Sequence, residues 1–232
     1  MKTSNILLIV TVSLFFLVTL SSNLALKSQF DKIDKNDAFY GFSRHPIKPF
    51  QYIKLLGKDV GLTEIRQGPV AEIRMITLPK YLRWDSSGDT LILTYTPEVN
   101  QGYRPRGGTY GSLPSFYVIT PSLQGIILDN VRCKVRNFKF GDLTVQQKGD
   151  GLFFAGSSID NLTANVAANG YLKLDQDNQI GRADITVRDS SVLSADKDMF
   201  KLFNAKIDSS AYISMPGSML KKMMTGNKIA PR

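Results

Sequence analysis

Apolar and polar positions alternate in short runs from Phe50 onward, and between Leu143 and Met215 this alternation recurs about every twenty residues. Each recurrence opens on a small polar turn and continues into an apolar run. The four are Gly149-Asp150-Gly151-Leu152-Phe153, Ala168-Asn169-Gly170-Tyr171-Leu172, Asp189-Ser190-Ser191-Val192-Leu193 and Asp208-Ser209-Ser210-Ala211-Tyr212. Between Asp150, Asn169, Ser190 and Ser209 the spacings are 19, 21 and 19 residues, the length of one coil of a β-solenoid rather than of a helical repeat. The pattern predicts an all-β chain: a right-handed β-helix-like solenoid with preceding β-strands, following an N-terminal transmembrane helix.

A coil of this size cannot bury its apolar face alone and must stack on the next, with backbone hydrogen bonds running from coil to coil. The turn residues suit such corners. Gly149, Gly151 and Gly170 tolerate positive φ, and Asn169, Asp189 and Asp208 bond their own backbone in tight turns. The runs Leu152-Phe153-Phe154, Tyr171-Leu172-Lys173-Leu174 and Val192-Leu193-Ser194-Ala195 each supply an inward column, of either parity. Leu143, Leu162, Ala183 and Leu202 form a second expected column. The terminal coils need covers, which the N-terminal strands and the Met219 to Arg232 tail would provide.

Strand patterns precede the recurrence at Phe50 to Leu55, Val60 to Ile65, Ala71 to Ile76, Thr90 to Tyr95 and Phe116 to Ile119. Breakers separate them at Gln67-Gly68-Pro69, Ser86-Ser87-Gly88-Asp89 and Thr120-Pro121. Asp196 to Asn204 reads as one helical turn or a bulged corner, and Met219 to Met224 as a short terminal helix.

At the N-terminus, Ile6 to Leu26 runs for 21 residues without a charge, enough to cross a bilayer as a helix. A signal peptide is the alternative, but Asn23-Leu24-Ala25 puts a large polar residue where a cleavage site needs a small one, which favours an uncleaved signal anchor. Lys2 precedes the span, whereas Lys27, Lys32 and Lys35 follow it, so positive charge does not decide orientation. Export in the manner of a signal peptide would place the C-terminal domain outside the cytoplasm, periplasmic or on the cell surface.

Charge and cysteine narrow the partners. The net charge is +9, but the basic residues are scattered, with neither an aromatic-basic RNA motif nor a helix-turn-helix pattern, so no nucleic-acid partner is expected. A single cysteine, Cys133, excludes an internal disulfide and any multi-cysteine metal site, and its strand context marks it as a buried structural thiol. The sequence calls for no cofactor and no metal; the calcium nonapeptide of β-rolls is absent.

Residues 97–114 form the longest irregular stretch, in which Tyr103, Arg104, Arg106 and Tyr110 are the candidate ligand-binding residues, offering stacking faces and guanidinium forks to a sugar or an anion. The alternative is a plain insertion between strands. A polysaccharide-active β-helix enzyme would need paired carboxylates beside a basic residue. Asp175 and Asp177 with Lys173, or Asp184, Arg188 and Asp189, are candidates, set against their reading as solvated corner carboxylates. No catalytic residue is assigned. The one histidine, His45, lies outside the recurrence, which disfavours a Ser-His-Asp enzyme.

Several of these segments resemble the bacterial head GIN domain family, described as auto-transporter adhesins. The resemblance spans roughly residues 50–217. Its opening strands look like Tyr52-Ile53-Lys54-Leu55-Leu56-Gly57 and Leu62-Thr63-Glu64-Ile65-Arg66-Gln67-Gly68. A later strand looks like Gly88-Asp89-Thr90-Leu91-Ile92-Leu93, Thr120-Pro121-Ser122-Leu123 leads into the coils, and the glycine corners match Asp150-Gly151 and Asn169-Gly170. Ser190-Ser191 and Ser209-Ser210 depart from that pattern. The resemblance implies a β-helix-like fold and an envelope location, and brings no catalytic residues.

The expected organisation is a flank at 1–5, an anchor at 6–26, a juxtamembrane linker at 27–49, a GIN-like domain at 50–217 and a basic tail at 218–232. The expected function is a membrane-anchored, non-catalytic envelope protein presenting the solenoid for binding or adhesion to a glycan, a protein or another envelope component. The alternatives are the polysaccharide-active enzyme and a structural module that self-associates through its end coils.

Overall fold

A computed structural model describes residues 3–34, 37–57, 61–76, 79–95, 110–111 and 114–226. Two compact units result, Met1–Phe42 and Ser43–Arg232. The first consists mainly of helix α1 (Thr3–Asp31), 29 residues with none buried. Its surface is apolar on all sides through Leu26, which suits an apolar surrounding rather than one core-facing stripe. The Thr11 hydroxyl bonds back to the Leu7 carbonyl at 2.9 Å, which removes a polar group from that surface. By length and composition α1 is able to cross a membrane.

The second unit begins with seven strands: β1 (Ser43–Pro46), β2 (Tyr52–Leu56), β3 (Thr63–Gln67), β4 (Glu72–Met75), β5 (Leu82–Ser87), β6 (Thr90–Tyr95) and β7 (Phe116–Thr120). It continues with β8 (Gly125–Asp129), β9 (Cys133–Arg136), β10 (Lys139–Lys148), β11 (Gly151–Ala155), β12 (Ser158–Ala167), β13 (Tyr171–Leu174), β14 (Gln179–Val187), β15 (Val192–Ala195), β16 (Phe200–Ile207) and β17 (Tyr212–Ser214), and closes with helix α2 (Gly217–Gly226). Among the described residues these strands make two mixed, mostly parallel sheets. A nine-stranded sheet has the order β1-β4-β7-β3-β9-β11-β13-β15-β17, and an eight-stranded sheet has the order β16-β14-β12-β10-β8-β2-β6-β5.

From β8 to β17 successive strands alternate between the sheets. The turn spacing matches the hydrogen-bond register in its first two steps, where Val145 aligns with Ala164 and Ala164 with Ile185, and falls one residue short in the third, where Ile185 aligns with Ala205. Cys133 aligns with Thr63 and Leu152, Leu152 with Leu172, and Leu172 with Leu193, all fully buried. The parity left open by the alternation is thereby resolved, with Leu152, Phe154, Leu172, Leu174, Leu193 and Ala195 inward. Cys133 is a core residue, and burial, reinforced by the nearby Glu64 charge, pushes its thiol well above its ordinary range.

The corners show why the turn residues are small and polar. Three carry two consecutive left-handed residues: Gly149 and Asp150 at φ 59° and 38°, Ala168 and Asn169 at 56° and 62°, and Asp189 and Ser190 at 56° and 57°. Gly151 and Gly170, expected to share that conformation, are outside the left-handed set. Gly151 is required instead by close packing, since an added Cβ would lie 1.5 Å from the Tyr110 hydroxyl. Buried polar groups tie adjacent corners. Asn178 accepts from Ser157 N at 2.9 Å and donates to the Phe154 and Asp175 carbonyls at 2.8 Å each.

Two other expectations are corrected. Leu202 does not continue the column of Leu143, Leu162 and Ala183; it is 62% exposed, and Phe203 aligns with Ala183. The long strands bend between two inward residues and turn two successive side chains outward there, and Leu202 takes the second of those positions, in line with Asp142, Asn161 and Arg182. Asp196 to Asn204 holds no helical turn, since a bend and a short coil lead into β16 at Phe200. The terminal helix at Met219 to Met224 falls within α2, whose Met219 is buried in the core cluster. The sheet edges are β1 and β5 at one end and β16 and β17 at the other.

Candidate functional site

The two sheets present outer faces of different chemistry. On the eight-stranded sheet, β10, β12, β14 and β16 align Thr144, Thr163, Asp184 and Asn204 in one file and Gln146, Asn165, Thr186 and Lys206 in a second. Neighbours within a file are about 4.8 Å apart, the strand spacing, and the files are about 6.7 Å apart, two residues along a strand. These side chains line a shallow groove of about 370 Å³. The second file continues through Ile127 on β8 to Lys54 on β2.

Most of this grid has hydrogen-bonding capacity to spare. The exceptions are Asp184 and Asn204: the Asp184 carboxylate takes Arg182 Nε at 2.7 Å and Asn204 Nδ2 at 2.9 Å. Those two hydrogen bonds hold it below the ordinary aspartate range. In the bordering file Asn161 donates to Asp142 at 2.7 Å. Among the described residues, the side chains of Thr144, Gln146, Thr163, Asn165 and Thr186 form no hydrogen bond within the protein, and Lys54, Lys148 and Lys206 form no ion pair.

The nine-stranded sheet is the opposite case. Its outward file runs Arg44, Arg74, Tyr117, Glu64, Lys134, Phe153, Lys173 and Ser194, with Tyr117 and Glu64 buried, and most of its charges are paired, although Lys134 and Arg136 form no ion pair among the described residues. Glu72 holds both Arg44 and Arg74, Glu64 holds Arg66, Arg132 meets Asp150 at 2.6 Å, and Lys173 meets Asp196 at 3.1 Å. Lys134 and Lys173 also lie 5.5 and 5.8 Å from the Phe153 ring centroid.

Tyr110 is the one loop candidate among the described residues; Tyr103, Arg104 and Arg106 lie outside them. Its ring packs on Phe153 at 5.2 Å and beside Tyr171 at 6.4 Å, and its carbonyl accepts from Lys134 Nζ at 3.2 Å. Burial, with the nearby Asp150 charge, pushes the phenol far above its ordinary value. Tyr110 thus spends its aromatic face on the protein itself.

The carboxylate candidates are dispersed. Lys173 pairs with Asp196 rather than with Asp175 or Asp177, and Asp175 caps its own turn by accepting from Gln176 N at 2.8 Å. Asp184 sits in the groove, whereas Arg188 follows four residues later, about 13 Å along an extended strand. Arg188 lies 3.8 Å from Asp189, whose backbone N–H bonds Asp208. His45 lies on β1, with Ser43 Oγ 3.0 Å from Nε2 and the Trp84 ring 5.2 Å away. The groove residues escaped notice in the sequence because threonine, asparagine and glutamine are ordinary outward strand residues. Their alignment at the spacing of the turns was the signal available.

No family model and no curated protein sequence matches the chain, so the likeness to head GIN domains rests on the quoted residues alone. Solved structures do match. A putative adhesin from Bacteroides fragilis is 12% identical with a TM-score of 0.48, over 75% of this chain and 96% of that one. A putative lipid binding protein from Parabacteroides distasonis is 15% identical with a TM-score of 0.25, over 79% and 99%. A putative cell adhesion protein from Clostridium sporogenes is 9% identical with a TM-score of 0.27, over 75% and 97%. Similarity at these levels carries neither a family nor a function.

Proposed function

We propose that this chain is a membrane-anchored, non-catalytic protein of the cell envelope, and that its strands form a right-handed β-helix-like solenoid displayed for binding or adhesion. The anchor would be α1, with the second unit outside the cytoplasm, and the partner a glycan, a protein or another envelope component. One observation carries the reading: a file of hydroxyl and amide side chains with no hydrogen bonds among the described residues lines a shallow groove, while the opposite sheet pairs most of its charged side chains. Ordered polar groups with free donors and acceptors serve recognition at little further entropic cost. The likeness to the head GIN domain agrees with this role.

Protease treatment of intact cells and of spheroplasts, with the full-length chain tagged at its C-terminus, tests the reading. Degradation from the extracytoplasmic side is expected, and degradation only from the cytoplasmic side would overturn the topology. A polysaccharide panel tests the absence of catalysis: the full-length chain should release no new ends, and release abolished by Asp184→Asn would establish an enzyme instead.

A further inference from the structure

We infer that the groove across β10 to β16 takes an extended acidic polysaccharide, laid perpendicular to the strands along the file Lys54, Ile127, Gln146, Asn165, Thr186 and Lys206. This rests on the binding reading above and names the ligand class for that site. Parallel pairing places one side chain of the file about every 4.8 Å, close to the length that one pyranose adds to an extended glycan. Register is therefore kept from ring to ring without any change in the protein.

The chemistry of each position fits sugar hydroxyls. The hydroxyls and carboxamides of Gln146, Asn165 and Thr186 donate and accept at once, as sugar hydroxyls do, and they have no competing partner among the described residues. The second file adds Thr144 and Thr163. Charge selects an acidic chain. Lys54 and Lys206 stand on the file five strand steps apart without an ion pair among the described residues, whereas Lys148, next outward after Gln146 on β10, stands in register with Asp129 on β8, which offsets part of its charge. The carboxylate of Asp184 is already engaged by Arg182 and Asn204, so its repulsion of an anion is offset. A net charge of +9 draws a polyanion towards the protein.

The groove lacks what other ligands require. Among the described residues its lining from β10 to β16 has no aromatic ring, and Tyr52, at the β2 end of the same face, lies over Gly125 as a single ring, so no row of platforms is offered to single-stranded nucleic acid; the lining also has no buried aromatic or apolar anchor of the kind that dominates protein interfaces. Its outward lining side chains are threonine, asparagine, glutamine, aspartate and lysine, which make no continuous apolar strip for a lipid chain.

The test measures binding of polygalacturonate, neutral dextran and a single-stranded DNA oligomer to the full-length chain in detergent micelles. Polygalacturonate should bind, with dextran and DNA at least about tenfold weaker. Asn165→Ala with Thr186→Ala should weaken polygalacturonate binding about tenfold, the loss of one to two hydrogen bonds. Lys206→Ala should weaken it severalfold and flatten its salt dependence. Ser194→Ala, on the opposite sheet, should change nothing. Equal binding of DNA, no binding of polygalacturonate, or binding indifferent to the groove substitutions would overturn the inference. If protease still reaches the second unit only from outside, such a result removes this ligand and leaves the envelope reading standing.

Discussion

The Tyr110 hydroxyl occupies the space that a side chain on Gly151 would need, 1.5 Å from the position of an added Cβ. A glycine at a corner thereby fixes a residue more than forty positions upstream, and the ring it admits covers Phe153 and Tyr171. Gly151→Ala should displace the tyrosine and cost about 1–3 kcal/mol, the usual penalty of overpacking. Combined with Tyr110→Ala, the effects should fall short of additive in a double-mutant cycle by thermal unfolding. Additive losses would show that the two positions are independent.

Asn178 bridges two corners from inside the protein. Asn178→Ala would leave the Ser157 N–H without this acceptor and the Phe154 and Asp175 carbonyls with their backbone donors alone. The expected loss is about 2–3 kcal/mol, seen as a lower urea midpoint at unchanged slope. Asn161→Ala, whose exposed bond to Asp142 lies in solvent, should cost far less.

Ala168 holds a left-handed backbone at φ 56°, a conformation that strains any residue bearing a Cβ. Ala168→Gly should raise stability by about 1 kcal/mol, the relief of that strain less the added freedom of the unfolded chain. A lower thermal midpoint would show that packing at this corner outweighs the backbone.

Glu72 couples stability to acid. Burial alone would raise its pKa, but hydrogen bonds and charge from Arg74 and Arg44 outweigh burial and leave it below its ordinary value of 4.5. The unfolded chain therefore takes up this proton first as pH falls. The contribution is complete above about pH 4.5 and disappears as pH drops through the lower, folded value. Urea midpoints measured from pH 7 to pH 3 should fall for the native protein and fall less for Glu72→Gln; equal slopes would contradict the assignment.

Legibility in the sequence followed the strength of the local physics. Left-handed corners favour Gly, Asn and Asp, so the turn spacing was visible, although Ala168 also takes that conformation and the left-handed pair ends at Asp150 and Asn169, excluding the glycines that follow. Alternation within Val192 to Ala195 admits two parities, and only stacking on Leu172 and Leu174 selects one. The placement of Leu202 failed because the register step from β14 to β16 is 20 residues, one more than the last turn spacing, which moves the inward position to Phe203. Tyr110 was visible as an aromatic in a long loop, but the residues that anchor it, Phe153 and Tyr171, come from other strands far along the chain. The groove was hidden because Thr163, Asn165 and Thr186 are unremarkable singly and acquire meaning only when hydrogen bonding aligns them.

The central claim is that the eight-stranded sheet carries the binding face. Hydroxyl-radical footprinting of the full-length chain in micelles, with and without polygalacturonate, tests it most directly. Protection should concentrate on the outward side chains of β10, β12, β14 and β16, with Tyr171, Lys173 and Tyr212 on the other sheet unchanged. Protection centred on the nine-stranded sheet, with the groove residues still fully reactive, would contradict it.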